Sequence, residues 1–409
     1  MNVKRIKISL NLANKPLEAG ELAVSGKDIF FKYYDSFLRS GLNISPIKLP
    51  FTNEIQKADR NLFEGLFGVF FDSLPDSWGK LLLDRKLMAM GLDPLQTSPL
   101  DRLSFVGVNG LGALEYQPIN EDLTIDKHIF DLDKISSESQ HLITGADSEI
   151  LEELYVLGGS SGGARPKINV WVNEANKEIS SNNKTTGDQF EPWIIKFPTL
   201  SDKPDIANIE YAYMLMAKAA GIETADCMLF QGKSGKFYFG TKRFDRCNGE
   251  KLHMHSASGL LHDDHRYSQM DYGHLMDCAF QLEKSVSGHE KVLRLAAFNV
   301  YSHNRDDHSK NFSFLMDKTG KWKLSPAYDL TFSSSSYGHH NTTIAGESFN
   351  PGFSNLMELA HEFKVNNAKT IIDEVKTTVA CWSKFAEEAG VNHSSKKLIN
   401  KTIQYLIKS

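Results

Sequence analysis

A run of polar residues at positions 303–311 has the residue types and the spacing needed for phosphoryl transfer. Asp306 follows an arginine, and Asn311 lies five residues further along the chain. In this spacing a carboxylate can accept the proton of an attacking hydroxyl, and an asparagine amide oxygen can bind a magnesium ion. Asp329, eighteen residues after Asn311, offers a second oxygen ligand of the kind that Mg²⁺ prefers.

The residues between Asn311 and Asp329 predict a β-hairpin. Residues 312–315 and 322–324 are short apolar runs typical of strands, and residues 317–320 between them are typical of a tight turn. Such a hairpin returns the chain, so that Asp329 is expected near Asn311. We therefore predict that these two side chains bind the same Mg²⁺ ion.

Two other interpretations of residues 303–311 stay open on sequence alone. The run could be a solvated surface loop, although a solvated loop requires neither the hairpin nor Asp329. It could also be a metal site, but no separation within it matches a zinc motif such as His-Glu-x-x-His. The candidate ligands are His303, Asp306, Asp307 and His308. Polar runs with histidines at residues 262–265 and 338–340 are predicted to be solvated loops.

Composition and charge are those of an ordinary globular protein. A chain of 409 residues can form two or three domains, and 41% hydrophobic and 24% charged residues argue against a disordered chain. The net charge of −5 argues against a general nucleic-acid binder. Four widely spaced cysteines predict reduced thiols, and the first residues lack the apolar core of a signal peptide. Since the longest apolar run, near residues 66–71, is too short for a membrane, we predict a cytoplasmic protein.

Residues 1–120 are predicted to form an α+β unit. Alternating apolar residues predict strands at positions 6–12, 20–24 and 28–34. A helix is predicted from Trp78 to Met90, with Gly91 ending it. Glycines at positions 107, 110 and 112 predict a structural turn before a strand, because no helix pattern follows them as in a phosphate loop. Residues 121–150 are predicted to be a polar connector with short helical pieces.

Beyond residue 150 the pattern predicts strands, a loop and then mainly helices. The strands are expected at residues 168–172 and 193–197, with a mobile polar loop at 174–189 between them. A helix is predicted to begin after Pro204 and to end at Gly221. From about residue 250 the chain is expected to be mostly helical apart from the hairpin.

Several features in these elements suit a nucleotide. The glycine-rich residues 158–163 could let backbone N–H groups converge on phosphate oxygens, with Lys167 adding charge, although a flexible hairpin loop is the alternative. Lys196 lies in an apolar strand, where an unpaired ammonium group would be costly to bury. In kinases such a lysine contacts the phosphates and a helix glutamate, here Glu210; a lysine at a strand end that reaches solvent is the alternative. Residues 239–245 fall where a kinase hinge would meet an adenine edge.

The order of these features is that of a protein kinase, and several segments make the resemblance more specific. The chain resembles the HipA family of bacterial toxin kinases over residues 5–350, including an N-terminal subdomain that ordinary protein kinases lack. The segments concerned are FFDSLPDSWG at 70–79, GLGAL at 110–114, GGARPK at 162–167, KRFDR at 242–246 and DDHSKN at 306–311.

The resemblance implies an α+β fold in which a protein-kinase-like bilobal fold carries an added N-terminal α+β subdomain and a mostly helical C-terminal lobe. The expected domains are the N-terminal subdomain at 1–120, a small lobe with the phosphate loop and hinge at 121–250, and a helical large lobe with the catalytic loop at 251–409.

The resemblance also implies roles for individual residues. Asp306 is the expected catalytic base, and Asn311 and Asp329 are the expected metal ligands. Ser160, or the adjacent Ser161, matches the family's autophosphorylated serine, whose modification silences the kinase. The expected ATP-binding residues are Gly162, Gly163, Ala164, Arg165, Pro166, Lys167, Lys196, Lys242, Arg243, Phe244, His308, Lys310, Asn311, Tyr328 and Asp329. Lys242 stands where the family usually has an acid.

The function implied is that of a bacterial serine/threonine protein kinase that uses ATP and Mg²⁺. The resemblance further implies a toxin that phosphorylates a translation component such as an aminoacyl-tRNA synthetase. A HipB-type helix-turn-helix antitoxin is the expected partner, through which the chain would reach operator DNA. The alternatives are a small-molecule kinase of the aminoglycoside-phosphotransferase type and a catalytically idle nucleotide-binding co-repressor. The N-terminal subdomain disfavours the former, and the intact Asp306, Asn311 and Asp329 disfavour the latter.

Overall fold

The chain divides into two compact units. The computed structural model describes residues 3–120, 131–159, 162–181, 189–335 and 338–408. The first unit comprises Met1–Pro204, Met228–His255 and Met316–Gly320, and the second comprises Asp205–Cys227, Ser256–Leu315 and Lys321–Ser409.

The first unit begins with a five-stranded antiparallel sheet. Its strands are β1 (Arg5–Leu12), β2 (Lys15–Ser25), β3 (Asp28–Tyr33), β4 (Gln56–Lys57) and β5 (Leu114–Gln117), in the spatial order β4-β3-β2-β1-β5. Apolar residues alternate along β1, so that Ile6, Ile8 and Leu10 are buried on one face of the sheet. The helices between β3 and β5 are α1 (Asp35–Leu38), α2 (Gly68–Phe71), α3 (Ser77–Ala89) and α4 (Pro99–Val106).

A second five-stranded sheet completes the first unit. Helices α5 (Leu132–Ile143) and α6 (Leu151–Gly158) precede it. Its strands are β6 (Lys167–Asn173), β7 (Glu178–Ser180), β8 (Glu191–Lys196), β9 (Cys227–Gln231) and β10 (Phe237–Lys242), in the order β7-β6-β8-β10-β9. Side chains of α3, α5 and α6 share one hydrophobic core with alternate residues of β6 and β8. The short strands β11 (Arg246–Cys247) and β12 (Glu250–Lys251) then pair, and β13 (His253–Ser256) follows.

The second unit is mainly helical, with a small hairpin. Its helices are α7 (Ile206–Ala219), α8 (Ala257–Leu261), α9 (Tyr272–Glu283), α10 (Ser287–Ser302), α11 (Phe353–Glu362), α12 (Ala368–Ala380), α13 (Trp382–Glu388) and α14 (His393–Lys408). Strands β14 (Ser313–Met316) and β15 (Trp322–Leu324) form the hairpin. Helix α10 contacts α9, α11, α12 and α14, which makes it the central helix of this unit. Across the described residues, no helix combines the length and the apolar character needed to cross a membrane.

Most predicted elements are present, and three differ in extent. Strand β2 is longer than predicted, because its first residues pair with the second half of β1. The predicted mobile loop contains β7, which pairs with β6 through Val172 and Ile179; residues 182–188 lie outside the described part. The predicted connector contains α5, a twelve-residue helix rather than short pieces. In each case tertiary pairing or packing adds order that local composition does not predict.

Candidate active site

The catalytic loop predicted from the sequence begins where the central helix of the second unit ends. Residues of α10 are buried along almost its whole second half, so the helix is held from several sides. His303 ends it in the left-handed conformation, with φ of +58°. The hydroxyl of Tyr213 donates to the carbonyl oxygen of Ser302 at 2.5 Å, which satisfies one of the carbonyl groups that a helix end leaves unpaired. The loop therefore starts from a rigid support.

Asp306 and Asp307 are adjacent but face different surroundings. Asp306, the predicted base, is exposed. Asp307 is buried, with 1% of its surface exposed. Asn311 turns back to this point, because its side-chain N–H donates to the carbonyl oxygen of Asp306 at 2.7 Å. The backbone of the predicted base and the side chain of the predicted metal-binding asparagine are thus joined by a direct hydrogen bond.

The predicted hairpin is confirmed, and it returns the chain as expected. The backbone N–H of Ser325 donates to the carbonyl oxygen of Ser313 at 2.8 Å, next to the paired strands. The Tyr328 hydroxyl donates to the carbonyl oxygen of Lys310 and lies 2.6 Å from the hydroxyl of Ser313. Tyr328, the residue before Asp329, is thus bonded to Lys310, the residue before Asn311.

Asp329 itself has an unusual backbone. Its φ of +54° lies in the left-handed region, which costs energy for a residue other than glycine and occurs disproportionately at functional sites. The donor set of Asn311 and Asp329 consists of one amide oxygen and one carboxylate, which are hard ligands suited to Mg²⁺ and too few for an all-protein cage. The chemistry of these residues fits a metal ion that is also bound by phosphate oxygens.

A buried hydrogen-bond network lies beneath the loop, and sequence reasoning missed it. The Asp307 carboxylate accepts hydrogen bonds from the Tyr272 hydroxyl at 3.0 Å and from His340 Nδ1 at 2.9 Å. Asn299 extends this network, since its side chain donates to the Tyr272 oxygen at 2.8 Å and accepts from Asn304 at 2.9 Å. The signal in the sequence is Asp307, the second acidic residue of the adjacent pair, whose side chain in an extended chain points away from that of Asp306.

The burial of His340 and Asp264 corrects part of the prediction of solvated loops at residues 338–340 and 262–265, whereas His339 is exposed as predicted. His340 is buried because the Asp307 carboxylate supplies its partner. Asp264 is also buried, where it accepts hydrogen bonds from the Arg266 guanidinium. A polar residue can leave water when a charged partner satisfies it, and local composition does not reveal that partner.

The alternative of a metal site at His303, Asp306, Asp307 and His308 is not supported. In the described ranges of the chain, no group of three or more His, Cys, Asp or Glu residues is placed to hold a metal ion. His303 stacks on the Phe332 ring at 5.0 Å, and burial together with the Arg305 charge lowers its pKa to about 4. The ring of His308 lies 5.5 Å from that of His265.

In the first unit, the predicted phosphate loop is docked on the start of α3. The N–H of Gly163 donates to the Asp76 carboxylate at 3.0 Å, and the backbone N–H of Trp78 donates to the Gly163 carbonyl oxygen at 3.4 Å. Lys167 folds back and donates to the carbonyl oxygen of Gly162. Gly163 has a φ of +86°, so glycine is the residue that this turn favours. Asp76 was not predicted, although it lies in the segment at 70–79 that carries the family resemblance.

The other residues of this loop have separate partners. Arg165 forms an ion pair with Asp202 at 2.8 Å, and the Pro166 carbonyl oxygen accepts from the Phe197 N–H at 2.8 Å. Ala164 is exposed. The predicted phosphorylation sites, Ser160 and Ser161, lie outside the described residues.

Lys196 lies at the end of β8, as predicted. It is directly paired in register with Lys167 of β6 and Phe239 of β10, and its ammonium group lies 5.5 Å from the centre of the Phe239 ring. Glu210, the glutamate predicted to accompany it, is buried in α7 of the second unit.

The predicted hinge residues carry their own ion pairs. Lys242 at the end of β10 pairs with Glu174 at 3.4 Å and Glu191 at 3.6 Å. Arg243 is buried and donates to both oxygens of Asp245, at 2.9 and 2.7 Å. Its guanidinium group is therefore engaged within the protein. Phe244 is half-buried.

Comparison with known proteins identifies relatives over both parts of the chain. A family model described as the HipA N-terminal domain matches residues 10–117, and one described as the HipA-like C-terminal domain matches residues 159–382. A protein of Sinorhizobium fredii (strain NBRC 101917 / NGR234) is 24% identical over 390 residues, which cover 89% of this chain and 81% of that protein. A protein of Haemophilus influenzae is 25% identical over 263 residues, which cover 60% of this chain and 72% of that one. Both are named "Putative kinase", the first with the designation Y4mE.

A solved structure has the same fold. HipA of the Shewanella oneidensis MR-1 toxin–antitoxin system, in complex with HipB and its operator DNA, matches with a TM-score of 0.70 and 18% identity. The match covers 98% of this chain and 96% of that chain, and it confirms the predicted α+β, kinase-like fold class. The C-terminal family model alone spans more than half of the sequence. The chain therefore belongs to the HipA family.

Proposed function

We propose that this chain is an ATP- and Mg²⁺-dependent kinase that phosphorylates a serine or threonine hydroxyl of a protein. The observation that carries the proposal is the arrangement of three residues between positions 306 and 329. Asp306 is exposed, Asn311 is hydrogen-bonded to the Asp306 backbone, and Asp329, which follows the hairpin, has a left-handed backbone conformation. The names of the relatives support kinase activity. The family's N-terminal domain, matched at residues 10–117, argues against a small-molecule kinase.

The proposed reaction assigns each residue an elementary role. The Asp306 carboxylate orients the substrate hydroxyl and takes its proton as the hydroxyl oxygen forms a bond to the γ-phosphorus. The bond from that phosphorus to the β–γ bridging oxygen breaks, and ADP leaves. ATP is the donor of the phosphoryl group, and a bound Mg²⁺ ion would supply positive charge beside the phosphate oxygens. Asn311 and Asp329 would hold the metal ion, while residues 162–167 and Lys196 would bind phosphate oxygens.

The contribution of Asp306 can be tested with Asp306→Asn. The amide keeps the shape of the side chain but removes the proton acceptor, so phosphoryl transfer should fall by about 10²–10⁴-fold while ATP binding is retained. Autophosphorylation with labelled ATP and nucleotide titration measure the two effects. Equal transfer by the variant and the wild type would contradict the assignment.

We also propose regulation by autophosphorylation of Ser160 or, as the alternative, Ser161. A phosphoserine adds a charge of about −1.5 to −2, which would compete with nucleotide phosphates for the neighbouring glycine N–H groups. Ser160→Asp should bind ATP more weakly than wild type, whereas Ser160→Ala should bind it normally. Mass mapping after incubation with Mg²⁺·ATP identifies the modified residue. Modification confined to positions outside 158–167, with unchanged nucleotide affinity, would overturn this regulation.

The biological role that we propose is that of a toxin with a HipB-type antitoxin as partner. The Shewanella HipA structure, which contains HipB and operator DNA, supports this partner. A short helix-turn-helix reading frame beside the gene, whose product co-purifies with this chain, is the expected finding. An aminoacyl-tRNA synthetase is the proposed substrate, following the family resemblance. Absence of labelling across a panel of synthetases by an active preparation would exclude that class.

A further inference from the structure

Three consecutive carbonyl groups around the proposed base are each held by a side chain. Asn341 Nδ2 donates to the carbonyl oxygen of Arg305 at 2.8 Å, and Asn311 Nδ2 donates to that of Asp306 at 2.7 Å. The Thr342 hydroxyl donates to the carbonyl oxygen of Asp307. The backbone on both sides of Asp306 is therefore bound by residues that follow it by more than thirty positions.

The side chain of Asp307 also binds residues 340–342. Besides Tyr272 and His340, it accepts the backbone N–H of Asn341 at 2.8 Å. Residues 340–342 thus bind both the side chain and the carbonyl oxygen of Asp307. The Asp307 carboxylate that accepts these hydrogen bonds is buried, with 1% of its surface exposed, so water competes little for it.

We propose that residues 340–342, acting with Asp307, position Asp306 for proton transfer; this inference rests on the proposed kinase function. A catalytic group must be held within about 0.5 Å of its productive position, and a displacement of about 1 Å can cost 10²-fold in rate. The Asp306 side chain is exposed, and the hydrogen bonds to the carbonyl groups of residues 305–307 restrain its backbone. Thr342 and Asn341 are positioning residues, because their side chains bond the backbone on either side of the base.

Thr342→Val tests the proposal with a side chain of the same shape. Removing the hydroxyl frees the Asp307 carbonyl oxygen, so kcat should fall by about 10-fold to 10²-fold. The KM for ATP should stay unchanged, because none of the proposed phosphate or metal ligands is altered. Thr342→Ser restores the hydroxyl and should restore kcat. Asn341→Ala is the second variant; Asn341 is exposed, so its loss should lower kcat without preventing folding.

Thr331→Val is the matched control. Thr331 is buried like Thr342, but within the described part of the chain its hydroxyl has no hydrogen-bond partner. The same substitution there should leave kcat unchanged. A wild-type kcat in both Thr342→Val and Asn341→Ala would overturn the positioning role.

A double-mutant cycle separates positioning from general stabilisation. If Thr342 acts through Asp306, Thr342→Val should have no further effect on the residual transfer rate of Asp306→Asn. If Thr342→Val lowered the transfer rate by the same factor in wild type and in Asp306→Asn, Thr342 would only stabilise the protein. That result would overturn the inference while the kinase proposal stands. Failure of the kinase proposal is distinguishable, since wild type and Asp306→Asn would then show the same transfer rate.

Discussion

At the scale of single residues, the site shows how two identical side chains acquire different roles. Asp306 is exposed and Asp307 is buried, although they are adjacent. Asp307 can remain in the interior because hydroxyl, imidazole and backbone donors satisfy it. A buried carboxylate with a full set of donors suits a structural role, whereas an exposed one at a loop surface can meet a substrate. The difference in burial, and not in residue type, distinguishes Asp306, the proposed base, from Asp307, which supports the backbone beside it.

The proposed metal ligands should differ in their contribution. Asp329→Ala removes a formal negative charge and Asn311→Ala only a neutral amide, so the aspartate variant should weaken Mg²⁺-dependent nucleotide binding more strongly. Nucleotide titration with and without Mg²⁺ measures this for each variant. If Mg²⁺ had no effect on the wild-type affinity, the metal role of both residues would have to be abandoned.

At the scale of elements, the two proposed functional loops are each supported by a helix end. The catalytic loop leaves the C-terminal end of α10, and the phosphate loop is docked on the N-terminal end of α3. The dipole of a helix N-terminus favours negative charge, and Asp76 lies at the N-cap of α3. Its carboxylate accepts the Gly163 N–H, so the start of α3 helps to shape the proposed phosphate loop.

Gly163→Ala should distort this phosphate loop. The added Cβ would lie 2.6 Å from Lys167 Nζ, and φ of +86° is strained for alanine. Nucleotide affinity should therefore fall. Gly235→Ala is the matched control, because Gly235 has the same φ of +86° and no atom within 4 Å of its added Cβ.

The measurement is ATP affinity for both variants beside their unfolding midpoints. The two should lose similar stability, about 1–2 kcal/mol from the left-handed backbone, but only Gly163→Ala should lose affinity. Equal affinities in the two variants would show that the conformation of Gly163 does not matter for nucleotide binding.

At the scale of the whole molecule, buried charges join parts of the first unit that are distant in sequence. Asp245 accepts from Arg243, from Arg246 at 2.7 Å and from the Gly112 N–H at 2.8 Å. Burial alone would raise the pKa of Asp245, but the two guanidinium groups hold it well below its ordinary value. The glycines at 110 and 112 are thus structural, as predicted, because Arg246 also binds their carbonyl oxygens. Removing one partner of such a cluster leaves a buried charge unpaired.

The stability of the fold should decrease in mild acid because of His253. Burial and the neighbouring His255 lower the pKa of His253 to about 3, against an ordinary value of 6.5. Between pH 3 and 6.5 the unfolded chain binds a proton that the folded chain rejects, so the free energy of unfolding falls as pH falls through this range. At pH 5 the loss should be about 2 kcal/mol, since each pH unit below 6.5 costs about 1.4 kcal/mol.

Urea unfolding between pH 7 and pH 5 measures this effect. In His253→Gln the group that titrates is absent. The free energy of unfolding should therefore fall by about 2 kcal/mol less between pH 7 and pH 5 than in wild type, whatever the variant's stability at pH 7. Parallel pH dependences for the two proteins would show that His253 does not carry the effect.

The sequence by itself determined those features that depend on neighbours along the chain. Alternation predicts β1 and β6, a short apolar run predicts β8, and the turn residues at 317–320 predict the hairpin. The five-residue spacing from Asp306 to Asn311 predicts a site for phosphoryl transfer. These signals are local, because backbone periodicity and turn conformation depend on a few consecutive residues.

Only the tertiary structure decided how the loops are supported. Asp307 meets His340 across 33 residues, Gly163 meets Asp76 across 87, and Gly112 meets Asp245 across 133. The sequence showed a histidine at 340 as part of a polar run, and the fold made it a buried donor. A hydrogen-bond partner that lies far away in the chain leaves no periodic trace, since what selects it is burial, which exists only once the chain has folded.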